Sequence, residues 1–241
     1  MTNKLNIVLV HGAWADGSSW SKVIPLLKEA GYNVVAVQNP MTSLSDDAET
    51  TRRLAEAQEG PTILVGHSYG GAVITEAAHQ CPNVVGLVYI AGFALDVGES
   101  LASLAASGSE PPPGAAAIRP DKYGELWIDR ELFAENFCQD VDKTEASVMA
   151  ATQHPITGKC FEDKITNAGW KNLRCWYQVS SNDRMIPPEA ERFMAQRIKA
   201  NTISFSSSHA SMVSHPTEIA DFILNAAKEL ELSTIEEAAM N

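Results

Sequence analysis

The chain has 241 residues, of which 45% are hydrophobic and 20% charged, and its formal net charge is −12. This composition is typical of a globular protein with a sizeable core, and the length fits one α/β domain, with or without an insertion. The negative charge argues against nucleic acid or anionic membranes as partners. No apolar run approaches membrane-spanning length and no signal peptide precedes the first predicted strand, so we expect a cytoplasmic protein.

Six apolar, β-rich runs alternate with helical patterns along the chain. Several runs lack the alternation of a half-exposed strand, as expected for strands buried on both faces. The predicted strands cover residues 6–10, 33–38, 62–65, 84–90, 174–179 and 202–206. This order predicts an α/β fold with a mostly parallel six-stranded sheet flanked by helices.

Three of the intervening helices have recognisable ends. Ser18 or Ser19 is predicted to cap the first helix, and Gly31 to end it. Ser45 is predicted to cap the second, and Pro216 suits the first position of the last helix.

The alternation breaks between residues 93 and 169, where we expect loops and helices near 130–138, 143–153 and 161–167, with no convincing strand. We interpret this block as a helical cap inserted between core segments 1–92 and 170–241. A cap there would cover the carboxyl ends of the strands, where open α/β sheets place their ligand sites. The alternative is a second domain with its own function, but the block lacks a strong apolar pattern of its own.

The four cysteines are scattered and include no Cys-x-x-Cys pair. We therefore expect free thiols rather than disulfides or a zinc site, and we predict no metal and no cofactor. The cysteines are Cys81, Cys138, Cys160 and Cys175.

The most informative motif is Gly-His-Ser-Tyr-Gly at residues 66–70, between an apolar run and a small-residue helical segment. A serine between glycines on a strand-to-helix turn is the pattern of a nucleophile elbow. Such a turn lifts the hydroxyl of Ser68 out of the sheet, beside the N–H groups of the helix N-terminus. The motif predicts an enzyme with Ser68 as its nucleophile.

A serine nucleophile needs a base and a group that orients the base, in the chain order Ser, Asp or Glu, His for this architecture. His209 follows the last predicted strand and is predicted to be the base. Asp183 follows the preceding strand and is predicted to be the orienting acid. A turn-forming role for Asp183, or Asp96 as the acid, are the alternatives. His11 and His67 belong to tight turns, where we expect structural hydrogen bonds.

The turn at residues 11–14 closes the first strand, and in such folds it supplies one N–H of an oxyanion hole. Ala13 and Tyr69 are therefore the predicted N–H donors to an oxyanion. Other aromatic and methionine side chains are candidates to line an apolar pocket under the cap, although core packing is their usual role. These candidates are Trp14, Phe93, Trp127, Phe137, Met149 and Met212.

In its motifs at residues 11–14, 66–71, 182–187 and 208–210, the chain resembles the α/β-hydrolases over nearly its whole length. It is most similar to the compact branch of small-ester esterases, plant-type methyl esterases and hydroxynitrile lyases. The resemblance implies Ser68, Asp183 and His209 as a catalytic triad without a cofactor. It also implies a monomer or homodimer that acts on a small-molecule ester.

Two departures weigh against a hydroxynitrile lyase, since such lyases have threonine in place of Gly12 and lysine in place of Ala210. Dehalogenases would need aspartate, and dienelactone-type hydrolases cysteine, in place of Ser68. We therefore expect a carboxylesterase-type serine hydrolase that forms an acyl-enzyme on small to medium hydrophobic esters. A lactonase, a cofactor-free C–C hydrolase or lyase, and a ligand-sensing receptor on the same fold are the alternatives.

Overall fold

The computed structural model describes residues 5–79, 81–108 and 110–240, with residues 234–240 described as helix backbone only. Nine strands are present in this part of the chain: β1 (Asn6–Val10), β2 (Asn33–Ala36), β3 (Thr62–His67), β4 (Val84–Ile90), β5 (Ile118–Pro120), β6 (Glu125–Ile128), β7 (Ile156–Thr157), β8 (Arg174–Ser180) and β9 (Asn201–Phe205). Six form a parallel sheet in the order β2-β1-β3-β4-β8-β9. The predicted α/β fold with a six-stranded parallel sheet is confirmed.

Helices connect and cover these strands. In chain order they are α1 (Val23–Glu29), α2 (Leu44–Glu56), α3 (Tyr69–Ala77), α4 (Leu101–Ser107), α5 (Arg130–Phe137), α6 (Lys143–Thr152), α7 (Gly158–Glu162), α8 (Pro188–Arg197), α9 (Ser211–Ser214) and α10 (Pro216–Met240). Around the sheet, α1 packs against α10 and α2 packs against α3. Across the residues that the structure describes, no helix has both the length and the apolar character that crossing a membrane requires.

The apolar strands are buried on both faces, as their unbroken hydrophobic runs predict. Every residue of β1 and β3 is buried, whereas most of β9 is exposed because it lies at the sheet edge. Removing apolar surface from water stabilises the fold by about 25 cal/mol per Å², so the central strands contribute most. Their burial gives the site a rigid base.

The strand register brings the carboxyl ends of five strands to one edge. Val10 pairs with Gly66 and His67 pairs with Ile90. On the other side, Ser180 pairs with Phe205. The turns that follow β1, β3, β4, β8 and β9 therefore meet at this edge, and these turns carry all of the residues predicted for catalysis.

Two predicted helix caps are wrong by a few residues. The first helical turn is capped by Asp16, whose side chain accepts from the N–H of Ser18 at 2.6 Å, and not by a serine. Helix α2 is capped by Ser43, whose backbone is extended and whose hydroxyl accepts from the N–H of Asp46 at 3.0 Å, so Ser45 lies inside the helix. Pro216 begins α10 as predicted.

The block between residues 93 and 169 contains a small sheet that the sequence analysis missed. Strands β5, β6 and β7 form it. In the turn between β5 and β6, Asp121 accepts from the N–H groups of Tyr123 and Glu125, and Gly124 has a φ of 87°. These strands are two to four residues long, too short to give a clear alternation. The helices near 130–138 and 143–153 are confirmed, and the third lies at Gly158–Glu162 rather than at 161–167.

This block is attached to the core by hydrogen bonds at several points. The indole N–H of Trp14 donates to the carbonyl of Leu126 at 3.0 Å, and the N–H of Thr157 donates to the carbonyl of Met41 at 3.1 Å. The N–H of Gly114 reaches the carbonyl of Arg184 at 2.7 Å. These contacts hold the block over the turns at the carboxyl edge; its boundaries as a cap stay a prediction.

All four cysteines are free thiols, as expected, and all four are buried. Burial raises the pKa of Cys81 to about 11 and the pKa values of Cys138 and Cys175 to about 12. We expect a disulfide reagent that releases a coloured thiolate to react slowly with the folded protein and with four thiols after unfolding, because only an accessible thiolate attacks. Fast labelling of the folded protein at mildly alkaline pH, followed by absorbance, would contradict this placement.

Candidate active site

Ser68 occupies a strained turn between β3 and α3. Its backbone has φ 53° and ψ −123°, a conformation that residues with a side chain rarely adopt. Its N–H donates to the carbonyl of Ile90 at 3.2 Å, and its carbonyl accepts from the N–H groups of Gly71 at 2.9 Å and Phe93 at 3.0 Å. Three backbone hydrogen bonds thus fix the predicted nucleophile elbow.

Two glycines allow the backbone segments around Ser68 to approach closely. A Cβ atom on Gly70 would lie 2.5 Å from the carbonyl oxygen of Val10, and one on Gly12 would lie 2.7 Å from the Cβ of Ser68. Neither position has room for a side chain unless the backbone or Ser68 moves. The turn after β1 therefore lies directly against Ser68.

His209 and Asp183 form a buried pair on the turns after β9 and β8. The Nδ1 of His209 lies 2.5 Å from Oδ2 of Asp183, and both side chains are fully buried. The other oxygen of Asp183, Oδ1, accepts from the N–H groups of Met185 at 2.6 Å and Ile186 at 2.9 Å. This arrangement places a proton on Nδ1 and leaves Nε2 as the basic nitrogen of the ring.

The Nε2 atom of His209 is buried and has no hydrogen-bond partner among the residues that the structure describes. It is therefore not hydrogen-bonded to Ser68. The turns of the two residues are nevertheless in contact, because Nε2 of His67, the residue before Ser68, lies 2.8 Å from the carbonyl oxygen of His209. Catalytic hydrogen bonds in free enzymes are often long and shorten when substrate binds. This nitrogen is the atom of His209 left for the predicted role of base to Ser68.

Two further histidines support these turns as neutral groups. Burial lowers the pKa of His67 well below its usual value, so its ring donates as a neutral imidazole to the His209 carbonyl. Burial also lowers the pKa of His11 to about 4. The Nδ1–H of His11 donates to the Gly12 carbonyl at 3.0 Å, and its Nε2 accepts from the N–H of Asn39 at 3.0 Å. The structural hydrogen bonds expected of both histidines are confirmed.

The side chain of Tyr69 is anchored by a buried carboxylate that the sequence analysis did not assign to the site. The Tyr69 hydroxyl donates to Oδ2 of Asp47 at 2.6 Å, and Oδ1 of Asp47 accepts from the N–H of Met41 at 2.8 Å. Burial raises the pKa of Asp47 to about 6, against the opposing effect of these two hydrogen bonds. Asp47 lies 22 positions before Tyr69, so no local pattern reveals this contact.

A cavity of about 420 Å³ opens beside Ser68. Ala13 and Tyr69, the two predicted oxyanion donors, line it together with Trp14 and Phe93. Among the described residues of the lining, Glu110 is the one that is charged. The rest of the lining is mostly apolar and comes from the cap block and the Asp183 turn: Leu101, Ala102, Ala105, Ala106, Gly108, Pro111, Pro112, Ala115, Ile118, Phe161, Met185 and Ile186.

The structure places the other four candidate pocket residues away from this cavity. Phe137 packs edge-on against the ring of His209, with centroids 5.0 Å apart, and thereby supports the predicted base. Phe137, Met149 and Met212 border a smaller cavity of about 170 Å³ that also touches Trp14. Trp127 lies in a separate surface groove, where its indole N–H donates to Asp121 at 3.4 Å. Their residue types indicate burial, but not which cavity they face.

The alternative acid, Asp96, is not paired with a histidine. Its carboxylate forms an ion pair with Lys171 at 2.5 Å in a partly exposed position. Asp183 is thus the acid that the structure brings to His209. Within the described part of the chain, no three His, Cys, Asp or Glu side chains are grouped in a way that could hold a metal ion.

Replacing Tyr69 with Phe tests the buried Tyr69–Asp47 bond. The change leaves Oδ2 of Asp47 without its hydroxyl donor, which costs about 1–3 kcal/mol of unfolding free energy. Because the pKa of Asp47 is raised to about 6, the native carboxyl is protonated below that pH and charged above it. The lost bond matters most to the charged form, so we expect Tyr69→Phe to destabilise the protein more at about pH 8 than at about pH 5.

Urea unfolding at the two pH values measures this difference. The matched control is Tyr123→Phe, since Tyr123 is 78% exposed, and this variant should change stability by no more than about 0.5 kcal/mol at either pH. An equal destabilisation by Tyr69→Phe at both pH values would contradict the contact with a titrating carboxyl.

Comparison with known proteins agrees with this geometry. The model of the alpha/beta hydrolase family matches residues 7–222. A pyrethroid hydrolase of Sphingobium wenxiniae is 29% identical over 92% of this chain and 87% of its own length. A carbendazim-hydrolysing esterase of Nocardioides sp. is 33% identical over 75% of this chain and 72% of its own length.

Among solved structures, a pyrethroid hydrolase of Sphingobium faniae superposes with a TM-score of 0.83. The match covers 93% of this chain and 97% of that chain at 24% sequence identity, and it shows the shared fold. The fold and these relatives confirm the predicted class, a hydrolase that acts on ester bonds. The chain belongs to the alpha/beta hydrolase family.

Proposed function

We propose that this protein hydrolyses carboxylic esters of small to medium hydrophobic molecules through an acyl-enzyme on Ser68. The observation that carries the proposal is the strained turn that presents Ser68 to an apolar cavity. This turn adjoins the buried His209–Asp183 pair. The hydrolase and esterase relatives support the same reaction class. As proposed, the protein is a cofactor-free serine esterase.

In the first step, Nε2 of His209 takes the proton from the hydroxyl of Ser68 while Oγ attacks the carbonyl carbon of the ester. Asp183 holds the imidazole by Nδ1 and stabilises the imidazolium that forms. Since Asp183 accepts two backbone N–H groups through Oδ1, its carboxylate is kept in one orientation. The imidazole of His209 is thus oriented before the substrate arrives.

The tetrahedral intermediate carries a negative oxygen, for which the N–H groups of Ala13 and Tyr69 are the proposed donors. Tyr69 is the first residue of α3, so its N–H has no acceptor inside the helix. Both residues line the cavity with Ser68. Removal of one such donor from an enzyme lowers kcat about 100- to 1,000-fold, so we expect each proposed donor to contribute on this scale.

When the intermediate collapses, the bond to the leaving alcohol breaks and His209 gives its proton to the alcohol oxygen. Water then enters, loses a proton to His209 and attacks the acyl carbonyl carbon. Collapse of this second intermediate releases the acid and returns the proton to Ser68. Each proton moves through Nε2, the nitrogen that the Asp183 contact leaves free.

The cavity supports neutral, hydrophobic substrates. Alanine side chains of α4 and the apolar Ile118 and Phe161 form much of its wall, and Glu110 would disfavour a negatively charged substrate. Its volume of about 420 Å³ suits a molecule of modest size. The relatives' names, pyrethroid hydrolase and carbendazim-hydrolysing esterase, support testing hydrophobic esters first.

Replacing Ser68 with Ala should lower the hydrolysis of p-nitrophenyl esters on the order of 10⁴-fold or more, because the nucleophile is lost. Release of p-nitrophenol measures the rate across a series of acyl lengths, and circular dichroism checks the fold. The control, Ser45→Ala, changes an exposed serine of α2 and should keep full activity. A folded Ser68→Ala variant with full activity would contradict the proposal, as would wild-type protein that hydrolyses no ester.

Replacing Ala105 with Trp should narrow the cavity, since Ala105 lines it from α4. We expect kcat/KM for long-chain p-nitrophenyl esters to fall about tenfold, while the acetate ester is affected little because it needs less of the cavity. Ser107→Trp is the control on the same helix, since Ser107 does not line the cavity. Equal effects of Ala105→Trp on all chain lengths would contradict this position of the acyl group.

A further inference from the structure

A second carboxyl group, that of Glu191 on α8, is buried behind the triad acid. Glu191 has no exposed surface. Its Oε2 accepts from the N–H of Ser180 at 2.9 Å, at the carboxyl end of β8. Its Oε1 is also buried, and no donor faces it among the described residues. A buried carboxylate oxygen without a donor is costly, unless that oxygen carries a proton of its own.

The neighbour of Glu191 is Asp183. Both are tied to Ser180, whose N–H donates to Glu191 and whose carbonyl accepts from the N–H of Asp183 at 3.2 Å. The charge of Asp183 and a side-chain hydrogen bond with it both raise the pKa of Glu191. Two neighbouring carboxylates in a buried site repel each other strongly, which favours a single proton held between them in a hydrogen bond.

The hydrogen bonds around the pair decide which carboxyl holds the proton. Asp183 receives three donors, namely the ring of His209 and the N–H groups of Met185 and Ile186. Glu191 receives one, from Ser180. Donors stabilise the charged form of a carboxyl, so Asp183 is the carboxylate and Glu191 is the acid.

The other groups around Glu191 do not change this assignment. Tyr177 on β8 is a further titratable group that senses any charge on Glu191, but its hydroxyl donates to the carbonyl of Gly92 at 2.6 Å. Arg192 follows on the same helix and is exposed, so water screens its charge. Burial and the charge of Asp183 together raise the pKa of Glu191 well above its usual value, and they outweigh the opposing effect of Arg192.

We propose that Glu191 is a positioning residue of the active site, a neutral carboxylic acid that donates a hydrogen bond to the Asp183 carboxylate. Through Ser180 the same side chain ties α8 to the end of β8. Glu191 thereby holds Asp183 in place against His209. The catalytic part of this inference rests on the proposed function, since it takes Asp183 and His209 as members of the triad.

Three variants separate this role from plain core packing. Glu191→Gln keeps a donor for Asp183 and an acceptor for Ser180, so its kcat should stay within about threefold of wild type. Glu191→Met keeps the volume but has neither, so kcat should fall between about 10- and 100-fold with little change in KM, the range for losing one hydrogen bond to a charged group. Glu189→Gln, at an exposed position of the same helix, is the control and should match wild type.

The pH dependence of stability tests the proton on Glu191 without any assay of activity. An unfolded glutamate loses its proton near pH 4.3, whereas the native Glu191 keeps it, so this group lowers the free energy of unfolding as pH rises above that value. In urea unfolding between about pH 4.5 and pH 8, the free energy of unfolding of wild type should therefore fall relative to that of Glu191→Gln as pH rises. Glu189→Gln should follow wild type.

The two readouts distinguish failure of this inference from failure of the proposed function. If wild type and Glu191→Gln share the same stability trend with pH, Glu191 holds no proton and the inference is overturned. The inference is also overturned if kcat falls as much in Glu191→Gln as in Glu191→Met. That result would mean that the site needs a charged carboxylate at Glu191 and not a hydrogen-bond donor to Asp183. If Ser68→Ala keeps full esterase activity while the stability trends differ as expected, the proposed mechanism fails and the shared proton stands.

Discussion

The positive φ of Ser68, a residue with a side chain held between β3 and α3, is the constraint on which the rest of the site depends. Such a backbone costs about 1–3 kcal/mol and persists only where its surroundings fix it. Here the carbonyl of Ser68 accepts two N–H groups, and the turn after β1 leaves no space for a Cβ at Gly12. The buried strands β1, β3 and β4 supply the rigid frame, so the strain is held at the residue proposed to react.

The second constraint is electrostatic. The site buries several titratable groups, and most of them are neutral: His67 and His11 have pKa values lowered by burial, and Tyr69 has a pKa raised by it. Asp183 is buried and accepts from three donors, the ring of His209 and two backbone N–H groups. Because these neighbours carry no charge, the charge of Asp183 acts on His209 unopposed. In the proposed mechanism this charge stabilises the imidazolium of His209.

The sequence predicts most of the fold because its strands are continuous apolar runs and its motifs are local. The turn at residues 66–70 is encoded by glycines within five positions, so Ser68 can be recognised without a structure. The strand order also brings His209 and Asp183 together, because turns that follow neighbouring parallel strands share one edge of the sheet.

The rest depends on contacts between distant positions. Asp47 reaches Tyr69 across 22 positions, and Phe137 reaches His209 from the cap block, so neither contact leaves a periodic signal in the chain. Trp127, Met149 and Phe161 are all large apolar residues of the block between residues 93 and 169, but of these three Phe161 alone lines the main cavity. The short strands β5, β6 and β7 were missed because two to four residues carry too little pattern.

The most direct test of this account is covalent labelling of the protein with a fluorophosphonate, followed by mass spectrometry of the intact chain and its peptides. The account predicts one adduct per chain, on Ser68, formed by the wild type and strongly slowed when His209 is replaced by Ala, because the reagent reports an activated serine. An adduct on another serine, or a folded protein that forms none, would contradict the assignment of Ser68 as the nucleophile.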